Sequence, residues 1–152
     1  MERWVLVEFA ERKAPVNDTV NIVNVVLKHF PGVQGIYLFG AYGTAYEQSS
    51  SDIDLALLLP PEMATRAGNI AMSPCATALA SLLDKPVDLI NLREVSTVFQ
   101  KEIIAADRLI HCADRYAADE FEMLVLSYYQ KLNEERQWIL KDFQDTQEIP
   151  AP

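Results

Sequence analysis

The 152-residue chain carries 13 basic and 22 acidic side chains, a formal charge of −9, and half of its residues are hydrophobic. That length suits one domain, 1–152, with a sizeable core, and no apolar run approaches the roughly 20 residues that span a bilayer. Nor is there a basic run of the kind that lets a stable nucleic-acid binder displace counterions, so a nucleotide with its cations, or a basic protein, suits this charge better than a polynucleotide. The opening Met1-Glu2-Arg3-Trp4 lacks the basic and long apolar regions of a secretory leader. Cys75 and Cys112 stand far apart without a pairing pattern, which points to a reduced, cytoplasmic protein.

Residues 1–16 mix Trp4, Leu6 and Phe9 with charges and show no assignable period. Asn17-Asp18 can cap a helix whose Val20, Val23, Leu27 and Phe30 fall at helical spacing and predict its buried stripe; Pro31-Gly32 stops it. Val33 to Phe39 reads as a strand, rich in β-branched and aromatic residues. Gly40 to Ser51 is small and polar. Asp52 to Leu59 is a second strand with apolar residues on both faces, hence central and covered on both sides. Pro60-Pro61 ends it, and helix occupies part of 62–84, with Gly68 and Pro74 placed to divide it. Val87 to Leu92 is a third strand. Ser96 caps a helix that sends Phe99, Ile103 and Ala106 toward the core, and Arg108 to Cys112 is briefly extended. From about Asp114 runs a long helix, whose Phe121, Val125, Tyr128, Leu132 and Ile139 repeat near 3.5 residues, with fraying expected from Gln144. Tyr129, Trp138 and Phe143 lie off that stripe, a surplus of aromatics suited to a partner or a second copy. The expected class is α/β (α+β): a small mixed sheet flanked by helices, with one long C-terminal helix.

The chemistry concentrates in Leu38-Phe39-Gly40-Ala41-Tyr42-Gly43 and Ser49-Ser50-Ser51-Asp52-Ile53-Asp54-Leu55. Alternate residues of a strand share a face, so Asp52 and Asp54 point together. Two carboxylates so close repel, and an apolar strand is a costly place for them; a cation relieves both costs. Oxygen-only ligands favour Mg²⁺ or Mn²⁺. Asp88, within the apolar strand Val87-Asp88-Leu89-Ile90, offers a third acid for a two-metal phosphoryl-transfer site. Gly40 lets backbone approach a phosphate, and Gly43 is expected to relax the turn into a short helix whose first amides face a triphosphate. A lone Asp-x-Asp is more often a solvated edge. Its position behind a glycine loop that follows a strand, with another strand acid downstream, is what singles this pair out.

These residues resemble the signature of the DNA polymerase β-like nucleotidyltransferase superfamily: Gly-Ser, ten residues, Asp-x-Asp, matched in spacing from Gly40 to Asp54. The short chain and long C-terminal helix resemble the minimal nucleotidyltransferases, the MNT antitoxins of type VII-like HEPN/MNT toxin–antitoxin systems. The resemblance implies that Asp52 and Asp54 bind the metals, Asp88 is the third acid and base, and Gly40, Ala41, Tyr42 and Gly43 hold the nucleotide. It also implies transfer of AMP from ATP, with Mg²⁺, to a tyrosine of a cognate HepT-like HEPN ribonuclease, in a hetero-oligomer with that toxin. Ala41 stands where the family has a serine. A hydrogen bond to a charged phosphate contributes roughly 1.5–3 kcal/mol, so its loss lowers binding or rate on the order of 10- to 100-fold. Arg66, Lys85 and Arg93 are cations within reach of a triphosphate but read as solvated charges. His29 and His111 read as structural or surface groups, and both cysteines as buried small hydrophobes. Two other readings are a non-catalytic protein that masks a toxin and a small-molecule nucleotidyltransferase; the latter usually carries an extra domain for its acceptor.

Overall fold

The computed structural model describes residues 16–48 and 51–148; the readings for 1–15, Ser49, Ser50 and 149–152 lie outside them. The described residues include five α-helices, four strands and a short 3-10 helix, Leu92–Glu94. Helix α1, Val16–His29, places Asp18 in its first turn and Lys28 and His29 in its last, each complementing the helix dipole. Ile22 and Val26 are fully buried, whereas Val20 is 51 % exposed. The buried stripe is thus turned from the expected one. Apolar residues at 20, 22, 23, 25, 26 and 27 offer overlapping stripes, and periodicity cannot choose which one meets the sheet.

Strands β1 (Gly35–Phe39), β2 (Ile53–Leu58), β3 (Val87–Asn91) and β4 (Leu109–Cys112) form one sheet in the order β3-β2-β1-β4. β1 is antiparallel to β2 and β4, while β2 and β3 run parallel, so the sheet is mixed. Alternation sorts the core. Ile36, Leu38, Ile53, Leu55, Leu57 and Leu89 face α1 and α3 (Pro74–Leu83). Tyr37, Ala56, Leu58 and Leu92 face α4 (Thr97–Ala105) and α5 (Arg115–Glu148), meeting Ile103, Phe121 and Val125. β2 is central and covered on both sides.

Gly68 and Pro74 do divide the 62–84 segment. α2 (Pro61–Ala67) closes at Gly68, whose N–H is donated to the Ala64 carbonyl, and α3 starts with Pro74 behind Ser73, which accepts from the Ala76 N–H. Ser96 caps α4 by accepting from the Phe99 N–H. Ala106 is exposed at the end of α4 instead of in the core, because the helix has already closed. Asp114 caps α5, its carboxylate accepting from the Ala117 N–H at 3.0 Å.

The seam of α5 is buried only in its first turns. Ala118, Phe121 and Val125 are core, but Tyr128 is 58 % and Ile139 68 % exposed, as are Trp138 and Phe143 for the most part. α5 continues to Glu148, past Gln144, from which fraying was expected. At 34 residues it extends past the sheet that would cover it. Arg93 fastens its inner end, donating to the Leu59 carbonyl and to Gln34 while its guanidinium lies 5.3 Å from the Phe121 ring centre. None of the described helices is long and apolar enough to cross a membrane.

Candidate active site

The acids gather where β2 enters the sheet. Asp54 pairs in register with Phe39 of β1 on one side and with Asp88 of β3 on the other. Its parity with Ala56 and Leu58 puts it on the α4–α5 face, near the strand end. Asp54 is half-buried, while Asp52 and Asp88 are exposed. Burial raises the pKa of the Asp54 carboxyl first, then the charge of Asp88, then that of Asp52. Asp88 and Asp52 thus both lie near enough for their charge to be felt at Asp54.

Among the described ion pairs, Lys85–Glu47 and Arg115–Asp119, neither involves these acids. Their charge is left to be met from outside the described side chains, and an all-oxygen donor set of this kind suits a hard divalent cation. Among the described residues no three acid, histidine or cysteine side chains are already drawn into a metal cage. Asp54 is the least exposed of the trio, and Asp52 and Asp88 keep their carboxylates open to solvent.

Gly40 follows directly from β1. Its φ is +76°, and a Cβ placed there would lie 2.1 Å from Asp54 Oδ2 and 3.1 Å from its Cγ. Glycine is required twice, by backbone conformation and by the carboxylate beside it.

Beyond Gly40 the chain makes successive turns, and the short helix expected after Gly43 is not formed. Thr44 folds back, its N–H and hydroxyl both donating to the Ala41 carbonyl, at 3.0 and 2.6 Å. Gly43 takes φ +77°, and its N–H is donated to Glu47 Oε1 at 3.0 Å. A side chain thus captures an amide that a helix start would have left open. Tyr42 is buried, and its hydroxyl donates to Asp18 Oδ2 of α1 at 2.6 Å. Burial and Asp18 hold the phenol well above its ordinary pKa, so it stays neutral. Its ring anchors the loop to α1.

Sequence reasoning missed Arg108. The Leu38 N–H donates to its carbonyl at 2.9 Å, which brings its 6 %-exposed side chain under the loop. The guanidinium donates to the Gly40 carbonyl at 3.1 Å and to the Tyr42 carbonyl. Burial lowers its pKa, offset in part by Glu47. The signal was present: a lone cation opening an apolar strand needs buried acceptors. Asp18 and Glu47 were missed too, because their partners are remote in sequence or supplied by backbone.

Lys85 pairs with Glu47 at 2.9 Å. The His29 ring lies 3.0 Å from the Val25 carbonyl, in keeping with a structural role. Cys75 is buried, its thiol pushed up to about 11 by desolvation, and Cys112 is exposed, contrary to the buried placement expected of it.

A mixed sheet that delivers a half-buried carboxylate, two exposed ones and a glycine turn to one end is the frame used to move a nucleotidyl group. The chain belongs to the nucleotidyltransferase family described as Polymerase beta, Nucleotidyltransferase, which it matches over residues 21–116. It is 37 % identical over 122 residues to the protein adenylyltransferase MntA of Shewanella oneidensis, covering 80 % of this chain and 84 % of that protein. Among solved structures it resembles a toxin–antitoxin crystal structure with AMP-PNP, with TM-score 0.66, 33 % identity, and 83 % of this chain and 98 % of that one covered. It also resembles a tri-AMPylated Shewanella oneidensis HEPN toxin in complex with an MNT antitoxin, with TM-score 0.59, 30 % identity, and 84 % and 96 % covered.

Proposed function

We propose that this chain is the antitoxin of a HEPN/MNT pair and transfers AMP from ATP to a tyrosine of its cognate HEPN ribonuclease toxin. The placing of Asp54 against Gly40, with Asp88 paired across the strands, is the observation that carries the reading. The likeness to a protein adenylyltransferase over most of both chains supports it. Asp52, Asp54 and Asp88 would hold Mg²⁺, which supplies charge neutralisation at the attacking and leaving oxygens.

The chain's own groups do the rest. The Gly40–Gly43 loop, braced by Arg108 and Tyr42, holds backbone close to the phosphates. Asp88, exposed at the strand edge, accepts the proton of the incoming phenol, whose reference pKa is about 10. The phenolate oxygen bonds to the α-phosphorus, and pyrophosphate leaves. Asp54, half-buried beside Gly40, orients the reacting end. The net charge of −9 suits a basic partner surface in a hetero-oligomer.

Ala41 favours a second reading, in which the chain neutralises a toxin by masking it without modifying it. Incubation with Mg·ATP and the partner toxin, followed by mass spectrometry of the toxin, separates the two. AMP on a tyrosine supports transfer. A tight, unmodified complex that forms while ATP still binds refutes it, provided Ala41→Ser also gives none.

A further inference from the structure

Around the glycine loop, one carboxylate of this chain has collected the groups that ordinarily receive an anion. Glu47 Oε1 accepts the Gly43 N–H at 3.0 Å, and Oε2 accepts Lys85 Nζ at 2.9 Å. Lys85 also stands 5.5 Å from the centre of the Tyr42 ring, a neutral platform beneath the ammonium. Arg108, inside the loop, adds attractive charge at Glu47. The two paired side chains keep 24 % and 30 % of their surface exposed, so the pair can open to solvent. Gly43, which donates to it, is three residues from the glycine that touches Asp54.

We propose that Glu47 is an internal stand-in for phosphate. In the nucleotide-free chain its carboxylate fills the seat of the distal phosphates, and the triphosphate of ATP displaces it, taking over the Gly43 N–H and the Lys85 ammonium. The inference rests on the nucleotidyltransferase reading and names two side chains that decide triphosphate affinity. A backbone N–H and an ammonium that satisfy a carboxylate satisfy a more highly charged phosphate better, which gives the exchange its direction. Occupation by Glu47 also keeps the loop closed and its amide satisfied when no nucleotide is bound. A nucleoside monophosphate, lacking the distal phosphates, does not need the seat.

Calorimetric titration with Mg·ATP, AMP and inorganic tripolyphosphate tests this on the full chain and its variants. Glu47→Gln keeps an acceptor for Gly43 but removes the competing charge, and should tighten ATP and tripolyphosphate at least about threefold. Lys85→Met should weaken both on the order of 10- to 100-fold while leaving AMP within about twofold. In the double variant the Glu47→Gln gain should disappear. If the pair is only a staple, Glu47→Gln weakens ATP and AMP alike and lowers the melting temperature, which overturns the inference while leaving the nucleotidyltransferase reading intact. A wild-type chain that binds neither ATP nor tripolyphosphate overturns both.

Discussion

Asp54 Oδ2 occupies the space in which residue 40 would begin a side chain, since a Cβ on Gly40 would sit 2.1 Å away from it. The contact joins the end of β1 to the start of β2 and makes the loop and the carboxylate one unit. Any side chain at residue 40 must move the acid, and a displaced acid no longer lies beside the turn.

Gly40→Ala should therefore abolish transfer while the fold survives. The positive φ and the contact together should cost about 1–3 kcal/mol of stability. Thermal unfolding and a labelled-ATP transfer assay read the two effects separately; near wild-type transfer by this variant would show that Asp54 does not act from its observed position.

Asp54→Asn should lower transfer on the order of a thousandfold or more, yet stabilise the metal-free protein. The carboxyl is raised by burial, Asp88 and Asp52, so the folded state holds its proton more tightly than the unfolded chain. Stability from this group is therefore highest at low pH. It falls as pH climbs from the ordinary carboxylate pKa through the raised folded value. Melting temperature against pH in a chelator should drop across that window in wild type and less in Asp54→Asn. Added Mg²⁺ should recover the loss in wild type alone.

Ala41→Ser should raise kcat/KM for toxin modification roughly 10- to 100-fold by restoring a hydroxyl donor to phosphate. The Ala41 carbonyl is already engaged by Thr44, so the loop conformation does not depend on the new side chain. An unchanged kcat/KM would mean that nucleotide binds without contact at this position.

Arg108→Met should destabilise the chain by about 2–4 kcal/mol, because it strips donors from the Gly40 and Tyr42 carbonyls inside the fold. Transfer should fall with it. Arg108→Lys should restore part of the stability but little activity, since one ammonium cannot span both carbonyls as the planar guanidinium does. Unfolding midpoints and transfer rates of the two variants distinguish support of the loop from mere loss of charge.

Much of this architecture was readable along the chain. Asp52-Ile53-Asp54 in an apolar run announced a central strand with acids at its mouth, and register then set Asp54 beside Asp88. Gly68 and Pro74 marked the break between α2 and α3 through local backbone chemistry. The errors arose where several local answers were equally good. α1 offered overlapping apolar stripes. α5 carried a seam longer than the sheet that covers it, so Tyr128 and Ile139 lie exposed. Gly43 had the residue type for a helix start, but Glu47 reached its amide first.

The sequence by itself determined the acids, the glycine turn and the strands that carry them, because strand alternation and glycine's conformational freedom act within a few residues. Only the tertiary structure decided what braces that loop. Arg108 is 68 residues from Gly40, Lys85 is 38 from Glu47 and Asp18 is 24 from Tyr42. Such pairings depend on where the sheet and α1 bring remote polar groups together, and no local period records it.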